Sequence, residues 1–263
     1  MFKAFKYRIY PTEPQKELIA KHIGSSRFVF NLALETKNAA YISNKHNYSP
    51  FDLIKQLPEL KKECTWLKEV NSQSLQQSIQ NMDIAFKKFF KGAGFPKFKS
   101  KHKGKQSFSI PQNVIVENNL LIIPKFKDGI DIVLHREIKG TIKSATISVT
   151  PTGKYFVSIL ADTNTEIPNK APITENETIG IDLGIKNFAI TSHGEVFENP
   201  KNLRKSQSKL KYVQSKYSKN KGKRTKQRLA LLHEKVVNKR KDFLHKTSIK
   251  LIRENQTICL EDL

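Results

Sequence analysis

From residue 2 to residue 10 the chain reads Phe-Lys-Ala-Phe-Lys-Tyr-Arg-Ile-Tyr, with apolar and basic side chains roughly alternating. A period of two predicts a strand with one buried face and one wet, positive face. Pro11 ends it. Thr12 then stands three residues ahead of Gln15, the capping-box spacing that opens a helix, and Leu18, Ile19 and Ile23 fall on one side of that helix. Gly24-Ser25-Ser26 predicts a break. A second helix then runs to about Tyr41 with Phe28, Val29, Phe30, Leu32 and Leu34, and the pair faintly resembles a helix-turn-helix. Further helices are predicted over 52–62 and 74–90. The latter carries Leu75, Ile79, Met82, Phe86, Phe89 and Phe90 at helical spacing.

Beyond residue 105 the period shortens again. Strand-like runs occupy 107–110, 114–117, 120–123, 130–134, 142–149 and 155–160, punctuated by Asn118-Asn119, Asp128-Gly129 and Thr152-Gly153. They predict a small barrel or sandwich that the first strand completes, so that the helical block becomes an insertion. A polar stretch over 163–177, with Pro168 and Pro172, reads as a linker. Ile179–Thr191 reads as one buried strand, Gly194 as a hairpin turn and Val196-Phe197 as the start of the return strand. Leu229, Leu232, Val236 and Phe243 then mark the seam of a helix hairpin broken near Asn220-Lys221-Gly222, and Ile258-Cys259-Leu260 forms a last short strand. The fold class expected is α+β.

Charge sharpens the picture. The 263 residues hold 47 Lys and Arg against 24 Asp and Glu, a formal net charge of +23. A field of that size favours polyanions, nucleic acid before an anionic membrane surface. No run approaches the roughly 18 apolar residues of a membrane span, and the first residues lack the apolar stretch of a secretory signal. Cys64 and Cys259 are far apart and form no Cys-x-x-Cys pair, which argues against a disulfide scaffold or zinc ribbon and suits a reducing cytoplasm. Residues 201–250 concentrate the charge, with 18 Lys and Arg against Glu234 and Asp242. Like-charge repulsion of that density calls for a polyanionic partner. Arg204, Lys205, Lys209, Lys221, Lys223, Arg224, Lys226, Arg228, Lys239 and Arg240 are the candidate phosphate contacts, and the alternative is a solvated face.

A second candidate surface is the loop from Gly92 to Lys105. Lys97, Lys99, Lys101, Lys103 and Lys105 alternate there with Phe95 and Phe98, a composition suited to phosphates and stacked bases. The competing reading makes the rings anchors for the loop. Trp66 is expected in the core, and the seven histidines show no ligand spacing. The chemistry centres on Asp182, between Gly180 and Gly184, and on Glu261 in the last strand. An ionised carboxylate in a buried strand is costly without a cationic partner. If the two strands pair, both acids can share Mg²⁺ or Mn²⁺, which favour hard oxygen ligands. Otherwise Asp182 caps a turn and Glu261 is a solvated strand end. Asp262 is a weak third candidate, because adjacent side chains on a strand face opposite ways.

Seven stretches together carry a family resemblance: Tyr7–Thr12, Arg27–Leu34, Gly94–Ser100, Gly180–Gly184, Asn199–Lys205, Leu232–Val236 and Leu260–Leu263. In them the chain resembles TnpB, or OrfB, of bacterial and archaeal insertion sequences, a family long named as transposases and related to type V CRISPR effector nucleases. The resemblance implies an RNA-guided DNA endonuclease acting in the prokaryotic cytoplasm on nucleoid DNA, with a guide RNA derived from the element. It implies a β-barrel wedge domain (1–11 and 106–162), a helical recognition insertion (12–105) and a RuvC-like domain of RNase H fold (178–263). It makes Asp182 and Glu261 the first two catalytic carboxylates and magnesium ligands. The family continues past Leu-Glu-Asp-Leu into further helices, a zinc ribbon and a third aspartate. This chain stops two residues after Glu261, so the expectation is a truncated form without zinc, with an incomplete RuvC site, part of its sheet uncovered, and little or no cleavage. The alternatives are a non-catalytic regulator that binds RNA or DNA and, third, a strand-transferring transposase.

Overall fold

A computed structural model describes residues 1–166, 169 and 172–261. Linker residues 167, 168, 170 and 171, and Asp262 with Leu263, lie outside the described residues. The chain divides into two compact units, Met1–Ile167 and Pro168–Leu263.

The first unit begins with β1 (Phe2–Tyr10) and the long helix α1 (Glu13–Asn44). Two short helices, α2 (Pro50–Lys55) and α3 (Leu57–Glu63), a single 3₁₀ turn at Thr65–Lys68 and α4 (Ser72–Phe89) follow. Six strands complete it: β2 (Gln106–Ile110), β3 (Ile115–Glu117), β4 (Leu120–Ile123), β5 (Phe126–Val133), β6 (Thr141–Val149) and β7 (Tyr155–Asp162). The seven strands form one sheet in the order β2-β6-β7-β1-β5-β4-β3, antiparallel throughout. β1 lies inside it, paired with β7 from Phe2 to Ile9 and with β5 from Arg8 to Tyr10. The period of two emerges as Phe5, Tyr7 and Ile9 buried, with Lys6 and Arg8 on the opposite face against Phe156.

One buried cluster draws side chains from nearly every strand: Tyr7, Ile9, Ile110, Leu121, Ile130, Ile147 and Ile159 are all fully buried. The helices contribute only Ile19 and Ile23 of α1 to that cluster. The Gln15 amide fixes α1 to the sheet: its oxygen accepts from the Thr12 N–H at 3.0 Å, and its nitrogen donates to the Gly129 carbonyl at 2.7 Å.

The helical block has a core of its own, in which Val29, Phe30 and Leu34 of α1 meet Leu75, Ile79 and Met82 of α4. This explains two departures from the sequence expectation. First, α1 does not break at Gly24-Ser25-Ser26. Ser25 and Ser26 are buried where the helix passes from the sheet core to the helical core. A break there would strand unpaired N–H and C=O groups away from water. That outweighs the roughly 1 kcal/mol penalty of a helical glycine. Second, the expected helix over 52–62 is divided at Gln56, because Pro58 occupies the first turn of α3 and cannot sit inside a continuous helix. Trp66 is also not core: it is 43% exposed, meeting Phe28 with ring centres 5.1 Å apart.

His22 sits fully buried at the junction of the two cores. Its Nδ1 donates to the Leu18 carbonyl at 2.9 Å, its Nε2 accepts from the Asn71 N–H at 3.0 Å, and Phe108 and Phe126 flank the ring. Burial pushes its pKa down, and the charge of Lys125 acts in the same direction. The unfolded chain therefore takes up the proton first. Below about pH 6.5, the ordinary histidine value, protonation favours unfolding, and that loss deepens until the folded-state pKa is passed. The stability advantage of the wild type over His22→Gln, measured by urea unfolding, is expected to shrink as pH falls from 7 to 5. A constant difference would remove His22 as the cause.

The second unit contains β8 (Thr178–Leu183), β9 (Asn187–Thr191), β10 (Val196–Glu198), α5 (Asn202–Lys219), α6 (Lys223–Glu254) and β11 (Thr257–Leu260). The sheet order is β10-β9-β8-β11. The run 179–191 is thus two strands. Gly184-Ile185-Lys186 reverses the chain, with the Gly184 N–H donating to the Phe188 carbonyl at 3.4 Å and Ile185 projecting into solvent. α5 and α6 form the expected hairpin. Leu210 and Val213 are its buried contacts on α5, and the α6 seam of Leu229, Leu232, Val236 and Phe243 is half-buried.

Candidate functional site

β8 alternates. Ile179 and Ile181 turn toward Leu251 of α6 and form a small core with Ala189, while Gly180 and Asp182 occupy the opposite face. Asp182 is exposed, which corrects the expectation of a buried acid. The core lies on the helix side of β8, so the Asp182 carboxylate stays hydrated and needs no cation to offset burial.

β11 pairs parallel with β8: Thr257 with Thr178, Ile258 with Ile179, Cys259 with Gly180 and Leu260 with Ile181. The pairing stops there, and Glu261 is the first residue beyond the strand. Asp182 and Glu261 are both exposed. The flanking glycines have local roles. Gly180 N–H donates to Ser192 Oγ at 3.1 Å, and a Cβ on Gly184 would meet the Asn187 carbonyl at 3.1 Å. Two hard oxygen donors suit one divalent cation whose remaining ligands are water. Among the described residues no group of three or more His, Cys, Asp or Glu could hold a metal, so a two-ion centre is not assembled from them. Asp262 lies outside the described residues.

The cationic positions on the α5–α6 hairpin are displayed outward. Arg204, Lys205, Lys209, Lys221, Lys223, Arg224, Lys226, Arg228, Lys239 and Arg240 are all exposed. Of the few acids, Asp242 pairs with Lys246 at 2.9 Å and Glu195 with Lys250. The apolar seam thus faces inward, and a nearly unbroken positive surface faces water.

In the first unit the basic loop lies against α1. Asn31 clamps it through both ends of its amide, which accepts from Lys99 N–H at 2.8 Å and donates to Lys99 carbonyl at 3.0 Å. The two rings have separate fates. Phe95 meets Phe86 and Phe89 edge-on, at 5.6 and 5.3 Å between centres, and anchors the loop. Phe98 is 59% exposed and borders a hollow of about 400 Å³ together with Arg27, Lys97, Lys99, Lys103 and Lys105. The Lys99 ammonium lies 3.9 Å from the Phe30 ring centre, and desolvation there lowers its pKa. Lys101 is exposed. Arg27 escaped the sequence reading because it sits mid-helix among apolar neighbours; only its packing beside the loop gives it this role.

The profile of a family described as a probable transposase, OrfB of the IS605 type, matches residues 158–263, and its helix-turn-helix profile matches residues 1–46. In this structure the latter segment is β1 followed by the unbroken α1. A protein of Streptomyces pristinaespiralis bearing the name of an RNA-guided DNA endonuclease is 35% identical over 99% of this chain and 67% of its own length. InsQ of Escherichia coli (strain K12), named likewise, is 32% identical over 99% of this chain and 66% of its own. The chain thus spans about two thirds of the length of these relatives. Among solved structures, the protein of a Cas12f1–sgRNA–target DNA complex aligns over 100% of this chain and 73% of that chain, at 13% identity and a TM-score of 0.37, too low to carry an argument. No helix of the described residues is long and apolar enough to cross a membrane.

Proposed function

The chain belongs to the OrfB family of insertion-sequence transposases, and from that premise we propose that it binds RNA and DNA on the plan of an RNA-guided, metal-dependent DNA endonuclease. The observation that carries this reading is the parallel pairing of β8 with β11, whose last pair, Ile181 with Leu260, comes one residue before Asp182 and Glu261; continued by one step, it would set the two carboxylates side by side. In this reading the seven-stranded sheet is the barrel-like wedge, residues 12–105 are the recognition insertion, and the second unit is the RuvC-like domain. Asp182 and Glu261 would hold Mg²⁺ or Mn²⁺. Such an ion supplies Lewis acidity toward a phosphodiester oxygen. The hairpin cations hold the backbone of the polynucleotide, and the Lys97–Lys105 loop holds a further stretch. With two carboxylates and no third ligand among the described residues, cleavage by this 263-residue form is expected to be weak or absent. That same observation favours the second reading, a regulator that binds without cutting.

The test is Mn²⁺ binding, read by loss of the free-ion EPR signal, beside binding of labelled RNA. Asp182→Ala is expected to weaken Mn²⁺ binding at least tenfold, since it removes one of two charged ligands, and to leave RNA affinity within twofold. Unchanged Mn²⁺ binding would sink the carboxylate site. Robust Mg²⁺-dependent cleavage that Asp182→Ala abolishes would sink the low-activity reading.

A further inference from the structure

A hollow of about 740 Å³ opens between the C-terminal ends of α1 and α4, within the first unit. Tyr41, Phe86, Phe89, Phe90 and Phe95 line it. Phe86 is buried, and Phe95, half-exposed, meets Phe86 and Phe89 edge-on. The rim rings stand out in water, Phe90 79% and Tyr41 56% exposed. Solvating that much aromatic surface is unfavourable, and such a rim marks a site of contact.

The polar equipment narrows the occupant. Asn38 and Asn47 line the hollow, and each amide offers both a donor and an acceptor. Lys45 stands over the Tyr41 ring at 5.0 Å. Asp83, an acid in the wall, is paired with Lys87 at 2.9 Å, so the two charges offset each other and Lys45 supplies the positive charge beside Tyr41. Aromatic faces for stacking, amides for a base edge and a lysine for flanking phosphates are the three components that single-stranded nucleic acid requires. A second copy of this chain, with its formal net charge of +23, would crowd like charges together.

We propose that this hollow takes an unpaired nucleobase from a single-stranded stretch of RNA or DNA, stacked against Phe90 and Tyr41, with its neighbouring phosphates met by Lys45. The proposal rests on the nucleic-acid-binding part of the reading above and is independent of the carboxylate pair.

The experiment measures fluorescence anisotropy of labelled 12-nucleotide single-stranded RNA, single-stranded DNA and duplex DNA with the full chain, in EDTA. Phe90→Ala and Tyr41→Ala are each expected to weaken single-strand binding by about 5- to 100-fold, the range of one lost base stack. Duplex binding should move less than twofold, and the salt dependence should stay unchanged because no phosphate contact is removed. Phe90→Trp is expected to keep the affinity. Both side chains are exposed, so thermal midpoints should hold. A larger effect on the RNA than on the DNA strand would identify RNA as the occupant, and the reverse would identify DNA. Equal losses on single strand and duplex, or no loss, would overturn the base site, as would a concentration-dependent dimer that Phe90→Ala abolishes. A wild-type chain that binds none of the probes overturns the nucleic-acid reading together with this one.

Discussion

Raising monovalent salt from 50 to 200 mM is expected to weaken binding of RNA or DNA by about 10³-fold or more, as for a protein that neutralises six or more phosphates. The expectation comes from the hairpin geometry. Leu210 and Val213 turn inward, and the ten candidate cations of the hairpin, nine on α5 and α6 and Lys221 in the turn between them, all remain exposed. Each one that meets a phosphate releases a condensed counterion, with a slope of about 0.9 per contact on duplex DNA and about 0.7 on a single strand. Lys223, Arg224, Lys226 and Arg228 lie within the first two turns of α6. Replacing these four with glutamine should reduce the log–log slope on duplex DNA by about 3.6 if all four make contact. The folded state should be barely affected, because exposed side chains contribute little to stability. A slope near zero in the wild type, or one unchanged in the fourfold variant, would show the hairpin to be merely a solvated surface.

Gly140→Ala is expected to destabilise the first unit by about 3–5 kcal/mol, combining steric overlap with left-handed backbone strain. Gly140 has φ +93°, and a Cβ built there would lie 2.0 Å from the Asp162 carbonyl oxygen and 2.6 Å from Thr163 Cα. The opposing atoms are backbone and cannot rotate away. They are also held from the other side. Asp162 pairs in register with both Phe2 and Thr141, and the Thr163 N–H donates to the Met1 carbonyl at 2.9 Å. Gly153 supplies the control. It too has positive φ, +79°, but nothing lies within 4 Å of its notional Cβ. Gly153→Ala should therefore cost only the conformational penalty, about 1–2 kcal/mol. Urea midpoints followed by circular dichroism would separate the two, and equal losses would refute the clash.

The contrast between these glycines shows where sequence reading stops. Gly153 was legible as a turn residue because it falls between two alternating runs. Gly140 was not, because its constraint comes from residues more than twenty positions away. The same division runs through the fold. The strands of the first unit were legible to within a few residues because their period of two is local, and so was the Thr12–Gln15 cap. The persistence of α1 through Gly24-Ser25-Ser26 was not, since it depends on two cores that meet only in the folded chain. At the candidate site, Asp182 stood out by its type and its setting, and Glu261 as an acid closing another short strand; whether the two strands pair was left open by the local pattern. The parallel pairing that brings their two strands together joins residues nearly eighty positions apart, which no local pattern encodes. The expected burial of Asp182 failed because alternation gives two faces without saying which one is covered. The split fates of Phe95 and Phe98 were equally invisible, since both rings sit in the same lysine-rich stretch.

The interior position of β1 has a consequence for biogenesis. Its partners, β5 and β7, lie more than a hundred residues downstream, so the first strand to leave the ribosome is among the last to find its neighbours. At about 5–20 residues per second, a bare Phe-Lys-Ala-Phe-Lys-Tyr-Arg-Ile-Tyr segment waits roughly 8–30 s before β7 exists. Closing so long a loop is entropically slow, and an unpaired strand invites wrong pairings in the meantime. The alternating lysines and arginine of that segment repel other copies of it and act as gatekeepers during synthesis. Yield in cells should therefore fall when Lys3 and Lys6 are made neutral, even though the finished sheet loses little by their removal.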